Sequence, residues 1–312
     1  MRYFDLHCDT ILGCYYDNAE LVRNTLQVDL ERGRAMNTYV QCYAVFLPDD
    51  IHGEAAFERF CQAADRFSQE IQANQESVVH YKSPEDLCLA EAEGKCCAIL
   101  TVENALALGG KLENIKELAH RGVKVCTLTW NGENELGRGV RAPGNTGLTT
   151  FGRQAVAELE RWGIIPDVSH ASPELFYDAM DAAKGPLVAT HSNAKTICNH
   201  PRNLTDEQFA ILKDRGGLVG LNLYGPFLRD TGKAALEDIL YHAEHFLALG
   251  GEDVLAFGAD WDGGPRADFP VSGIEGMEAV YNMFLRHNYA ESLVEKLFYG
   301  NAAEFFKRRD LF

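Results

Sequence analysis

No apolar run in this chain reaches the ~20 residues that a membrane-spanning helix needs. Basic residues are scarce: Lys plus Arg number 29 against 46 Asp plus Glu, a formal net charge of −17 over 312 residues. So acidic a surface repels nucleic acid and anionic membranes, and no basic patch with interleaved aromatics offsets it. Phosphate loops are missing too. No G-x-G-x-x-G follows the first strand-like run, and Gly132 and Gly137-Arg138 lack the Gly-Lys-Ser/Thr ending of a P-loop. The double C-x-x-C spacing of a zinc ribbon is absent. The nine cysteines are an odd number, scattered, with only Cys96-Cys97 adjacent, which fits reduced and mostly buried thiols. Charged Arg2 and Asp5 follow the first Met where a leader would be apolar, so the expectation is a cytoplasmic protein.

With 46% hydrophobic residues, the chain can bury a large core. Eight apolar, β-branched-rich segments recur: Tyr3–His7, Thr38–Phe46, Cys97–Val102, Val123–Thr129, Ile164–Val168, Leu187–Thr190, Leu218–Leu223 and Val254–Gly258. Short continuous apolar runs indicate strands covered on both faces, as in a parallel sheet. Between them lie amphipathic stretches at Glu54–Gln72, Lys111–Arg121, Leu148–Trp162 and Ser172–Ala183, the last with Ser172 as N-cap and Pro173 at the first helical position. Eightfold strand–helix alternation predicts one (β/α)8 TIM barrel over residues 1–312, with a C-terminal helical extension from about residue 290. Within that extension, Ser292–Phe312 reads as helix–turn–helix, Asn301 capping the last helix after Gly300. Arg138–Thr150 is a long loop on the side of the barrel that usually serves an active site.

Metal-binding residue types collect at the C-terminal ends of these strands. His7 and Asp9 end the first, two residues apart, and so project to one side with Cys8 pointing away. Glu103, His170, His191 and Asp260 end four others, and a closed barrel brings such ends to one mouth. Imidazole with carboxylate suits zinc. The expected partition gives His7 and Asp9 to one Zn2+, His170 and His191 to a second, and Glu103 to both, with Asp260 as proton carrier. Arg202, in His200-Pro201-Arg202-Asn203, has the planar fork that clamps a carboxylate.

These motifs resemble the membrane (renal) dipeptidase family of zinc peptidases, which are metal-dependent amidohydrolase-like barrels. The matching stretches are Phe4–Thr10, Leu100–Asn104, Thr127–Thr129, Asp167–His170, His191–Asn203, Gly216–Tyr224, Gly258–Gly263 and Gly300–Asn301, in the family's order. The resemblance implies a dinuclear zinc dipeptidase with the same five ligands, Arg202 on the substrate's C-terminal carboxylate, Asp260 in acid–base work and tolerance of a C-terminal D-residue. Trp130, Asn131 and Tyr224 are expected to line the dipeptide pocket. One departure is plain: the family's animal enzymes carry His after Thr-Leu-Thr, and this chain carries Trp130. Indole cannot act as an imidazolium, so either the zinc pair stabilises the oxyanion alone, or Asn131, Asn134 or Arg138 substitutes, or another bond (a cyclic amide, lactone or phosphoester) is the target. A metal-stabilised binding barrel without catalysis is the alternative outside enzymology. It has no use for a proton carrier such as Asp260. A homodimer is compatible with such barrels, and no partner beyond a small substrate is expected.

Overall fold

The computed structural model describes residues 1–308. Its strands are β1 (Arg2–Cys8), β2 (Thr38–Phe46), β3 (Val78–His80), β4 (Cys96–Glu103), β5 (Val123–Thr127), β6 (Ile165–Asp167), β7 (Val188–Ala189), β8 (Leu218–Leu221) and β9 (Leu255–Phe257). All pairings between them are parallel. β1 pairs with both β2 and β9, and β2 pairs with β4, so eight strands close into a barrel wrapped by helices. Each of the eight expected strands is present, shifted by a few residues at its ends.

β3 is the strand that the sequence pattern does not announce. Only three residues long, it pairs with Cys96–Ala98 on β4, while β5 takes Leu100–Glu103 further along. It is a short addition at the base of the closed sheet.

Alternation sorts the barrel's side chains into two layers. Phe4, Leu6, Val40, Cys42, Cys97, Ile99, Val125, Ile165, Val188, Leu218 and Ala256 form the inner core, and it is sealed by Tyr299, Ala302, Ala303, Phe305 and Phe306 from the C-terminal helix. That helix differs from expectation. Residues 291–307 are helical throughout, with a π-helical segment at Lys296–Gly300 where a turn was expected. Asn301 is therefore inside the helix and caps nothing; its amide instead donates to Glu252 O and Leu255 O, tying the helix to the entry of β9. The end of the extension, residues 309–312, lies outside the described residues.

Other helix expectations agree with the fold. The helices run over Gly53–Ala73, Asn114–His120, Thr150–Arg161 and Pro173–Ala182, and the Ser172 hydroxyl accepts from Leu175 N as an N-cap should. All nine cysteines are free thiols, seven of them buried. No helix among the described residues is long and apolar enough to cross a membrane.

Candidate active site

The barrel mouth is built where the strands stop being regular. β1 carries one extra residue between its pairings Asp5↔Gln41 and Cys8↔Tyr43. Such a bulge re-aims side chains: His7 turns into the mouth, Cys8 packs in the outer core and Asp9 follows His7. Glu103 is the last residue of β4. Asn104 beside it, at φ +78°, caps the next short helix through its own side chain and leaves the Glu103 carboxylate to the mouth. His170 and Asp260 follow β6 and β9 in left-handed conformations, at φ +67° and +66°. Non-glycine residues rarely adopt that region, and they do so chiefly where surrounding structure fixes a functional side chain.

The six expected residues converge. Glu103 Oε1 lies 2.9 Å from His170 Nε2 and 3.7 Å from His191 Nε2, while Oε2 lies 3.5 Å from His7 Nε2. His7 Nε2 is 3.9 Å from Asp9 Oδ2 and 3.8 Å from Asp260 Oδ1. Three sets of donor atoms sit within 4.8 Å of one another: His7–Asp9–Glu103, Glu103–His170–His191 and His7–His191–Asp260, all buried.

Neighbouring groups fix the imidazole tautomers. Thr190 Oγ1 donates its one proton to Asp167 Oδ2 (2.6 Å), so at its 2.8 Å contact with His191 Nδ1 it accepts. His191 therefore carries its proton on Nδ1. His170 Nδ1 likewise donates to Asn131 Oδ1, 3.1 Å away. The two Nε2 atoms, 3.0 Å apart, then face each other as lone pairs, an arrangement that a cation between them stabilises. His7 Nε2 and Asp9 Oδ1 are buried with no hydrogen-bond partner, and His7 Nε2 faces Glu103 Oε2 and Asp9 Oδ2.

The electrostatics agree. Burial alone would push the Glu103 carboxyl up, but the imidazoles of His170 and His7 outweigh it and hold it well below the usual range. Burial, then the Glu103 charge, pushes Asp9 well up, and burial raises Asp260. Burial favours neutral His7, yet Glu103, Asp9 and Asp260 overcome this and lift it to about 10. His170 falls to about 3 and His191 well below its ordinary value, burial being the main cause in both. A cluster that crowds carboxylates around one imidazole while keeping two others neutral draws positive charge, and neutral imidazoles with carboxylates are the donors a divalent metal takes.

A cavity of about 360 Å³ opens over these groups, lined among others by Asp9, Glu103, Trp130, Asn131, His170, Tyr224 and Asp260. Trp130 forms one wall, its ring edge-on to Phe46 with centroids 4.9 Å apart. Asn131 lines the cavity, but its Oδ1 is committed to His170. Asn134 is not a substitute for an oxyanion donor. Its Nδ2 donates to Asn104 Oδ1 and Leu128 O and its Oδ1 accepts from Leu136 N and Gly137 N, so it braces the loop. Arg138 is not among the residues lining the cavity; it packs against Gly144, 3.6 Å from Glu133. Tyr224 is anchored by Asn222, whose Oδ1 accepts Tyr224 N and whose Nδ2 donates to Asp260 Oδ2 at 2.9 Å.

Arg202 is not among the residues lining the cavity: it is 4% exposed and stacks 5.3 Å from the ring of Phe227, which does line it. Its Nη2 donates to His191 O, its Nε has no partner, and burial lowers it to about 10. Asn203 holds that loop by donating to Cys198 O and Phe227 O. The sequence pattern assigns no role to three contributors: Asn222, which orients Asp260, and Thr190 with Asp167, which set the His191 tautomer. A polar residue adjoining or ending a strand beside a ligand (Thr190-His191) was the available signal.

A (β/α)8 barrel with a buried His/carboxylate cluster at its C-terminal mouth defines a metal-dependent hydrolase of the amidohydrolase type. The model of the membrane dipeptidase family, peptidase family M19, matches residues 1–310. The chain belongs to that family and is a metallo-dipeptidase, a hydrolase acting on dipeptides. An uncharacterized protein from the pqqA 5′ region of Klebsiella pneumoniae is 30% identical over 250 residues, 75% of this chain and 92% of that protein. A Rhodobacter sphaeroides metallo peptidase, solved with a phosphinate mimic of the dipeptide L-Ala-D-Ala, superposes with a TM-score of 0.92 at 27% identity, covering 99% of both chains. Dipeptidase 3 of Rattus norvegicus is 24% identical over 90% of this chain, which spans 58% of that protein's length.

Proposed function

We propose that this chain is a dinuclear zinc dipeptidase that hydrolyses L,L-dipeptides and tolerates a D-residue at the C-terminal position. One observation carries the dinuclear reading: the two oxygens of Glu103 face different imidazoles, Oε1 toward His170 and His191 and Oε2 toward His7, as a bridging carboxylate would. His7 and Asp9 would complete one site, and His170 and His191 the other. Zinc bound there supplies Lewis acidity toward the scissile carbonyl and lowers the pKa of water.

The chain's own residues do the rest. Arg202, a buried cation with an unpartnered Nε, binds the substrate's terminal carboxylate. Asp260, held by Asn222 at the edge of the cluster, takes a proton on Oδ1 and returns it to the leaving amine. Phe46 and Trp130, packed edge-on, close one wall and exclude water. With the substrate's free amine held near Asp260 and its carboxylate on Arg202, a third residue would displace one end, which limits the length to two residues. The L-Ala-D-Ala mimic bound by the Rhodobacter sphaeroides relative supports the tolerance for a D-residue.

The test is hydrolysis of an L,L and L,D dipeptide panel by metal-analysed protein. Activity should scale with zinc up to two per chain, and Asp260→Asn should lower kcat by roughly 10²–10⁴. C-terminally extended peptides should be inert. A silent panel from protein holding two zincs would end the dipeptide reading.

A further inference from the structure

Arg141 is the feature of the mouth that this reading does not use. It is the only Lys or Arg among the residues lining the cavity, and no carboxylate among the described residues lies within ion-pair distance of it. Arg141 is exposed to this space, the single cationic side chain in a lining that also carries the carboxylates of Asp9, Glu103, Asp260 and Asp262.

Its backbone is tightly held. Arg141 N donates to Asn131 O at 2.9 Å, and Val140 N to His170 O at 2.8 Å, so the segment is pinned to two cavity residues. Gly139 allows that approach: a Cβ there would meet Trp130 O at 1.9 Å. Arg141 lines the cavity together with Tyr224 and Phe227, and Phe227 is the ring against which Arg202 stacks.

We infer that Arg141 forms an anion subsite for the side chain of the substrate's C-terminal residue, making the enzyme selective for dipeptides that end in aspartate or glutamate. This rests on the assignment of Arg202 to the main-chain carboxylate. A guanidinium offers the same bidentate fork to a side-chain carboxylate as to a main-chain one, and a charge-assisted pair of that kind outweighs the contact an amide of equal shape can make. At about 360 Å³ the cavity is at the small end of ligand sites, which run roughly 300–1,000 Å³, and Phe227, which carries Arg202 on its ring, shares its lining with Arg141.

The experiment compares kcat/KM for Ala-Asp, Ala-Asn and Ala-Ala, with Asp-Ala and Asn-Ala as the reverse pair, in zinc-loaded wild type, Arg141→Met and Arg141→Lys. Wild type should prefer Ala-Asp to Ala-Asn by about tenfold or more, mostly through KM. Arg141→Met should bring that ratio to about one, and Arg141→Lys should keep part of it. A wild-type ratio near one, an equal loss on all three substrates in Arg141→Met, or a preference confined to the Asp-Ala pair would overturn the subsite. Calorimetric binding of free aspartate against asparagine separates the two readings. If no dipeptide is cleaved but wild type binds aspartate tighter and Arg141→Met does not, the subsite stands and the dipeptidase reading falls.

Discussion

Thr190 shows how one hydroxyl decides the chemistry of a metal-binding imidazole. Its single proton goes to Asp167, which also accepts from Thr127 Oγ1, Ser169 N and Thr190 N, so its lone pair must receive the His191 Nδ1 proton. Thr190→Val keeps the volume but leaves that N–H without an acceptor. Zinc affinity should drop about 10–100-fold by chelator competition, with circular dichroism unchanged. His242 is a histidine of another kind. Fully buried, it accepts Ala194 N at Nδ1 and donates to Leu228 O from Nε2, a pattern only the neutral ring can make. Burial depresses it to about 4, so the unfolded chain takes up its proton first as pH falls. The stability it contributes is complete above pH ~6.5 and is lost as pH falls toward 4. Urea melts at pH 7 and 5 should differ by about 2 kcal/mol on this account, a difference that His242→Gln should shrink.

At the scale of elements, the C-terminal helix has the largest structural consequence. Phe306 lies 5.3 Å from the Phe4 ring and 5.7 Å from Tyr81, at the floor of the inner core. Phe306→Ala opens a cavity there and should cost about 3–5 kcal/mol, measured as a lowered denaturant midpoint at unchanged m-value. The opposite end of the barrel is held by strained residues. Of the six non-glycine residues at positive φ among the described residues, Asn104, His170, Asp260 and Asp262 lie at the mouth, each after a strand. The fold fixes these conformations because strand pairing and the turns behind them leave no alternative, and the site gains side chains aimed inward.

For the whole molecule, charge and metal act together. The net charge of −17 includes Asp9, Glu103 and Asp260, packed within one mouth. A metal that binds the folded chain and not the unfolded one stabilises it by mass action. Treatment with a chelator should therefore lower Tm by several degrees and added zinc should restore it, with calcium failing because imidazole suits zinc better. Scanning calorimetry with and without chelator checks this; an unchanged Tm would mean that the cluster holds no metal.

The sequence by itself determined the eight barrel strands, because parallel strands buried on both faces must be short and continuously apolar, and strand–helix alternation leaves one common way to close. It also determined the candidate ligands, because His7, Asp9, Glu103, His170, His191 and Asp260 end those strands and a closed barrel brings strand ends together. Tertiary structure decided what depends on neighbours remote in the chain. β3 exists only as an addition along the base of β4, and the bulge that aims His7 is a matter of register with β2. The unbroken terminal helix runs through Gly300 and Asn301 because Asn301 finds backbone carbonyls at Glu252 and Leu255. Asn222, Thr190 and Asp167 orient ligands through single hydrogen bonds, and Arg141 reaches the mouth because Gly139 lets its loop lie against Trp130. Local pattern carries burial and period, but hydrogen-bond partners far apart in sequence are chosen only when the barrel closes.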